Sequence, residues 1–213
     1  MVNIVPYVFP DNPTSWIEMS KLSSSTTFTA PEDGWFQFIG IAKSGRGGSG
    51  WGYSNGGKIG GGGGGAGGIT SSVFALKKGE NVTITINTGV TISYNNQIAS
   101  ANQGNDGTSA STNGSSSVGS GGNGGSASGG NTHNANGNRG SNGTKSQNPD
   151  DGIDHGGIGG RNSYMGYSAY GGNGGAGTHM TGSLGNSAYA IILRGNTNLK
   201  PDQQNVLDIT SIS

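Results

Sequence analysis

The stretch GGIGGRNSYMGYSAYGGNGGAG, residues 156–177, carries glycine at two of every three positions near both ends and spaces Tyr164, Tyr167 and Tyr170 three apart between them. Glycine loses more conformational freedom on ordering than any other residue. A folded chain that concentrates it recovers that loss only through contacts a side chain would block. The glycines are segregated, with 15 in residues 45–68 and 26 in 104–185, against 2 in 1–44, 2 in 69–103 and 1 in 186–213. Within 104–185, 12 glycine pairs lie three apart, against 5 two apart and 5 four apart. The regular backbone with three residues per turn is the extended left-handed polyproline II helix, which makes no hydrogen bonds within itself. Its N–H and C=O groups must therefore be satisfied by neighbouring segments. Collagen meets that need with one glycine per triplet and abundant proline, but 104–185 holds the single proline Pro149. The pattern predicts a bundle of polyglycine II helices, bonded sideways through faces that lack side chains and aided by Cα–H···O contacts.

The registers refine this expectation. Ile158, Arg161, Tyr164, Tyr167, Tyr170, Asn173, Ala176 and His179 share one register of three, and glycines fill the other two at both ends of the stretch. A straight helix of this length would span about 68 Å, longer than the roughly 45 Å width of a compact chain of this size. Glycine is sparsest from Arg161 to Tyr170, so the reversal is expected there, with the tyrosines at an exposed tip. The run Gly60–Gly65 has glycine in all three registers and suits a central helix surrounded by others. Gly137, Gly140 and Gly143 keep one glycine per turn, as an outer helix or a loop would.

The apolar residues occupy the complementary segments. Trp35, Phe36, Phe38, Ile39 and Ile41 follow an Asp33-Gly34 turn, and NVTITIN alternates Val82, Ile84 and Ile86 with threonine, the period of a half-buried strand. VTISY-NN-QIAS reads as a hairpin with Asn95 and Asn96 in its loop, KKGEN as a turn, and SAYAIILRG as a late strand. The expected fold is all-β: a small antiparallel β-sandwich-like scaffold with an inserted polyglycine II bundle and little or no α-helix. Its parts are an N-terminal arm (1–25), the scaffold (26–44, 69–103 and 186–195), the bundle with exposed loops (45–68 and 104–185) and a C-terminal tail (196–213).

Composition narrows the function. Eleven basic residues balance eleven acidic ones in a chain only 10% charged, so no net field favours nucleic acid or an anionic membrane. No apolar run approaches a membrane span, and cysteine is absent. MVNIVPYVFPDNP lacks the basic start and apolar stretch of a secretion signal, so a chain working outside a cell is expected to leave by lysis or on a larger particle. GYSNGGKI resembles a phosphate-binding loop up to Lys58 but has Ile59 where a Ser or Thr is required. Asp150, Asp151, Asp154 and His155 have the chemistry to hold a hard cation, although a solvated polar loop is the preferred reading. His133, His155 and His179 are isolated from one another, so no catalytic triad, no metal site and no cofactor is expected, and an enzyme is not. The sequons at Asn81, Asn113 and Asn142 matter only on a glycosylating route.

Aromatic residues set among glycine, serine and asparagine resemble the composition of a binding surface. Host contacts are expected from loops 161–170, 131–155 and 178–183, through Arg161, Tyr164, Met165, Tyr167, Tyr170, His179, Asn136 and Arg139; for Trp51 and Tyr53 packing is preferred. The order TTFTAPEDGWFQFIGIA, GGGGGGAGG, KKGENVTITI, glycine-rich tracts and AYAIILRG over residues 26–195 resembles the glycine-rich distal domains of bacteriophage tail-fibre and tail-tip proteins. More loosely it is similar to the tip adhesins of T-even-type phages. That resemblance implies a virion protein acting outside the cell, whose polyglycine II bundle presents loops to a bacterial outer-membrane protein or surface glycan. It also implies attachment to another tail-fibre protein through the other end, the N-terminal region. Those adhesins place a whole attachment domain before the glycine-rich part, whereas here strands bracket it on both sides. A homotrimer and a single capping copy both fit, and neither nucleic acid nor membrane insertion is expected. The competing readings are a structural fibre cap or spacer without a ligand, and an ice-binding polyglycine II bundle.

Overall fold

The computed structural model describes residues 13–52, 57–111, 117–146, 155–177 and 180–196. Among these it is all-β, with no helix. One five-stranded antiparallel sheet runs in the order β1 (Ser15–Leu22), β15 (Tyr189–Asn196), β3 (Gly34–Ile41), β6 (Ile69–Leu76), β11 (His133–Ala135). A second runs β10 (Ala127–Ser128), β9 (Gln97–Ala101), β8 (Val90–Tyr94), β7 (Asn81–Ile86), β2 (Thr26–Thr29). The strand Ser15–Leu22 lies within the segment expected to be an N-terminal arm. It pairs instead with β15 and forms the sheet edge, so the scaffold is larger than the sequence suggested.

The two sheets face each other across Phe36 and Phe38 of β3, Phe74 and Leu76 of β6, Ile192 of β15, Val82 and Ile84 of β7 and Val90 and Ile92 of β8, all buried. Alternate side chains of the first sheet point the other way: Ile39, Ile41, Ile69, Ile191 and Leu193 form a second buried cluster. Burial on both faces explains why WFQFIGI is apolar but for Gln37 and AIIL is apolar throughout, while the one-sided NVTITI alternates. The Asn95-Asn96 hairpin is present, with both residues at positive φ (45° and 64°), as a two-residue type I′ turn requires. Gly79 closes the KKGEN turn at φ 87°, and Asp33 accepts a hydrogen bond from the Lys78 N–H at 2.6 Å.

Between the strands the chain runs in eight extended rods, each donating backbone bonds to a given neighbour at every third residue. They cover residues 43–50 (rod 1), 60–68 (rod 2), 102–110 (rod 3), 118–126 (rod 4), 136–144 (rod 5), 155–160 (rod 6), 171–176 (rod 7) and 180–186 (rod 8). Rod 2 is central. The N–H groups of Gly60, Gly63 and Ala66 donate to Thr144, Ser141 and Asn138 of rod 5. Those of Gly61 and Gly64 donate to rod 7, and those of Gly62, Gly65 and Gly68 to rod 3. Its carbonyls accept in the same rotation from rods 4, 6 and 1. Rods 1, 3, 4, 5, 6 and 7 close a ring around it, and rod 8 lies outside on rods 1 and 7. The remaining donor, Gly67 N–H, goes to Ser44 Oγ at 3.0 Å, and the remaining carbonyl, Gly67, accepts from Asn162 Nδ2 at 3.2 Å. Every N–H and C=O of residues 60–68 therefore has a partner, which meets the requirement that a buried backbone without internal bonds imposes.

The packing leaves no room for a side chain. A Cβ on Gly60, Gly61, Gly62, Gly63, Gly64 or Gly65 would fall within 3.0 Å of the backbone of a neighbouring rod. The expectation of a central helix at Gly60–Gly65 is thus realised in a hexagonal arrangement. Ala66 is the one residue of rod 2 with a side chain, and its methyl joins the apolar cluster beneath the first sheet.

Rods leaving the sheets alternate with rods returning. Residues 42–44, 66–69, 102, 126, 136–138, 160 and 186 lie at the sheet end; residues 50–51, 59–60, 110, 144, 155 and 180 lie at the remote end. We predict that Gly62→Ala, which forces backbone against backbone, lowers stability by at least about 3 kcal/mol. Gly34→Ala, whose nearest neighbour would be the Phe36 ring at an ordinary 3.6 Å, is expected to change it by under about 1 kcal/mol. Urea unfolding measures both.

Candidate binding site

Many of the serines, threonines and asparagines that leave the rods are spent on the rods themselves. The Arg46 N–H donates to Asp106 Oδ1 at 2.7 Å and Ser49 N–H to Ser109 Oγ at 3.1 Å, so side chains of rod 3 cap donors of rod 1. Thr108 Oγ1 and Asn142 Oδ1 take the Ser120 and Gly121 N–H groups of rod 4, and Ser141 Oγ and Asn173 Oδ1 take the Ile158 and Gly159 N–H groups of rod 6. Each satisfies a donor with no adjacent rod to bond, and each denies it to another chain, as charged or capped edges do for sheets. Asn136 and Arg139, expected at a receptor surface, are likewise committed to backbone groups. Asn136 Oδ1 accepts from Ala127 N–H at 2.9 Å, and Arg139 Nε donates to the Gly121 carbonyl at 3.1 Å. Residues 136–144 are accordingly the outer helix that one glycine per turn allowed, and not part of the contact loop expected over 131–155. No sequence signal separated capping asparagines from contact asparagines, because both sit in the outward register.

The reversal expected from Arg161 to Tyr170 is present as a hairpin of β13 (Arg161–Tyr164) and β14 (Tyr167–Tyr170), turned by Met165 (φ 48°) and Gly166 (φ 82°). Its location overturns the expected tip. It joins rods 6 and 7 at their sheet end and lies over the outer face of the first sheet. The backbone here is a strand pair of period two, so the single register of three is broken. Tyr164, Tyr167 and Ala169 face the apolar cluster, while Arg161, Ser163 and Tyr170 face outward. Tyr164 stacks on His133 with ring centroids 3.9 Å apart and 10° between planes, and its hydroxyl accepts from Gln37 Nε2 at 3.3 Å. The Tyr167 hydroxyl donates to the Glu18 carboxylate of β1. Burial, aided by that hydrogen bond, pushes the Tyr167 hydroxyl up to about 12. Asn162 Nδ2 bridges the Gly67 and Ala135 carbonyls, tying the hairpin to the central rod and to β11. Met165 and Tyr170 remain exposed.

At the remote end a small sheet of β4 (Trp51–Gly52), β5 (Lys58–Ile59) and β12 (Lys145–Ser146) closes the bundle in the order β12-β5-β4. Ile59 is buried and anchors it, while Trp51 is 40% exposed. The Gly50 N–H donates to the Met180 carbonyl at 2.9 Å, which brings the start of rod 8 beside Trp51, with Met180 58% exposed. Packing was the role expected of Trp51; its ring instead takes an exposed surface position. Lys58 enters a strand followed by rod 2 rather than a helix, so the resemblance to a phosphate-binding loop ends there. His155 is buried at the end of rod 6, its Nδ1 2.8 Å from Thr144 Oγ1. Among the described residues no group of three His, Cys, Asp or Glu side chains is placed to hold a metal. Asp150, Asp151, Asp154, His179 and Tyr53 lie outside the described residues.

The structure therefore brings Arg161 and Tyr170 together, separates them from Tyr164 and Tyr167 across the hairpin, and places Trp51 and Met180 at the opposite end of the bundle. No known family model matches the sequence, and no curated protein matches it.

Two measurements check the roles assigned to these hydrogen-bonded side chains. A raised tyrosine pKa means the folded chain holds the proton more tightly, so the associated stabilisation is complete below pH about 10 and is lost as pH rises through about 12. Burial also raises the Tyr94 and Tyr189 hydroxyls. Tyr167→Phe is expected to remove part, not all, of the loss of stability over that range. Asp106→Ala is expected to cost about 1 kcal/mol and to speed hydrogen exchange at the Arg46 amide.

Proposed function

We propose that the chain is a bacteriophage tail-fibre tip or receptor-binding protein that recognises the bacterial host surface through the end of its bundle remote from the sheets. What supports this reading best is the division of labour in the fold. A rigid lattice satisfied by backbone bonds and side-chain caps carries alternate connections away from a sandwich that holds both described chain ends. Loops on such a scaffold tolerate change without refolding, as recognition loops generally do. Preordered contacts also limit the entropy lost on docking. The contacts we assign are Trp51 and Met180, exposed large hydrophobic side chains of that end among the described residues. The adhesin-like resemblance of residues 26–195 points the same way. Its partners would be an outer-membrane protein or surface glycan at the remote end and another fibre protein near the sheets, in an extracellular virion.

The structural spacer is the second reading, because so many outward polar side chains are already committed to capping the rods. Binding of the purified chain to a panel of bacterial cells separates the two. Trp51→Ala and Met180→Ala are expected to weaken adsorption at least tenfold, about 1.4 kcal/mol, while Tyr164→Phe leaves it unchanged. Retention of full binding by both remote-end variants would exclude this end as the contact surface, and absence of binding to every cell type would favour the spacer.

A further inference from the structure

On the flank of the bundle beside the sheets, two adjoining grooves of about 300 and 370 Å³ share Arg161 and Tyr170. The first is completed by Asn173 and Ser183 with the glycines of rods 6 and 7, the second by Asn138, Asn162 and Ser163. We infer that this double groove is a binding site for an acidic oligosaccharide, with Tyr170 as the stacking platform and Arg161 as the carboxylate anchor.

Three observations carry the inference. The first is rigidity without burial. Tyr170 is 46% exposed, yet its backbone is held by pairing with Arg161 across the hairpin and by the Asn186 N–H donating to its carbonyl at 3.0 Å. A preordered, half-exposed ring offers contact area at little conformational cost. The second is charge. Arg161 is exposed, no carboxylate among the described residues pairs with it, and its guanidinium lies 5.8 Å from the Tyr170 ring centroid. That distance is at the outer limit of a cation–π contact and leaves the planar donor fork available for bidentate recognition of a carboxylate.

The third is the chemistry of the walls, which is neutral, amide-rich and divided between donors and acceptors. Asn173 spends Oδ1 on the Gly159 N–H and keeps Nδ2 as a donor, whereas Asn162 spends Nδ2 on two carbonyls and keeps Oδ1 as an acceptor. Asn138 and Ser163 add exposed polar groups of both kinds. A sugar ring matches this set: one face of C–H groups for the tyrosine, hydroxyls that both donate and accept, and in a uronic acid one carboxylate. A peptide ligand would need side-chain pockets that these polar walls lack. A nucleic acid would need several cations where there is one.

Arg161 and Tyr170 lie at the sheet end of the bundle, away from Trp51 and Met180, so the fate of this site is separable from that of the remote-end proposal. The test is titration of the full chain, followed by amide NMR and calorimetry, with a four-residue hexuronate (tetragalacturonate) and with maltotetraose as the neutral counterpart. The hexuronate is expected to bind with a Kd on the order of 1 mM or tighter, shifting the amides of Arg161, Tyr170 and Asn173. Arg161→Gln should weaken it about tenfold, equal to about 1.4 kcal/mol. Tyr170→Ala should abolish binding, while Tyr170→Phe keeps it. Both residues face solvent, and the amide spectrum of each variant reports whether the hairpin is intact. Maltotetraose binding as tightly as the hexuronate with Arg161→Gln unaffected would overturn the acidic assignment. Absence of shifts at these residues, or none at about 10 mM ligand, would overturn the site.

Discussion

The structure depends on how closely one backbone can approach another when no Cβ intervenes. Around rod 2, seven consecutive residues, 60–66, direct their donors in turn to rods 5, 7 and 3 and accept in turn from rods 4, 6 and 1. This is possible only where the rods lie close enough for Cα hydrogens to meet neighbouring carbonyls, and at Gly60–Gly65 a methyl would occupy that space. Glycine's large entropy cost is offset here by bonding in six directions, rather than the two that a strand offers. The interior of the bundle is accordingly organised by hydrogen bonding, in a chain only 29% hydrophobic.

The sandwich supplies what the lattice lacks. Its sheets are held by ordinary apolar burial, with Phe36, Phe38, Ile84 and Ile92 fully enclosed between them. The junction between the two kinds of core is specific. Ala66 adds the only methyl of the central rod to the cluster beneath the first sheet. Ser44 Oγ and Asn162 Nδ2 satisfy the donor and acceptor of Gly67, where the ring of rods gives way to strands. The hairpin 161–170 locks this junction, with Tyr164 on His133 and Tyr167 on Glu18. The tyrosines are thus the mortar between lattice and sheet, except Tyr170, whose ring faces out.

Much of this organisation was legible in the sequence, for identifiable reasons. Period-three glycine and period-two threonine report the backbone directly, so the rods, the centrality of Gly60–Gly65, the Asn95-Asn96 hairpin and the late strand 189–196 could be read. The tyrosine hairpin was misplaced because a spacing of three satisfies two geometries. In a rod it puts Arg161, Tyr164, Tyr167 and Tyr170 on one face, but in two strands joined by Met165-Gly166 it divides them. Which end of the bundle holds the reversal depends on the parity of rod crossings, which no local pattern encodes. β1 escaped notice because SWIEMSKL is an edge strand with polar residues on both faces. The caps at Asp106, Asn142 and Asn173 were invisible because the choice between capping and contact is made by the neighbouring rod.

For recognition, a lattice whose outward donors are capped from within is inert toward other chains along much of its length, which confines binding to places where side chains are left over. Among the described residues of the bundle and its hairpin, exposed large side chains include Trp51 and Met180 at the remote end, Ile158 and Leu184 along the rods, and Arg161, Met165 and Tyr170 on the hairpin. The most direct measurement of the central claim is the set of scalar couplings across hydrogen bonds from the amides of Gly61, Gly62 and Gly63. Consecutive amides should couple to the carbonyls of Gly175, Thr108 and Ser141, three different rods in succession. Couplings to a single neighbour, or amides that exchange with solvent as fast as an unstructured chain, would contradict a hexagonal bundle around residues 60–68.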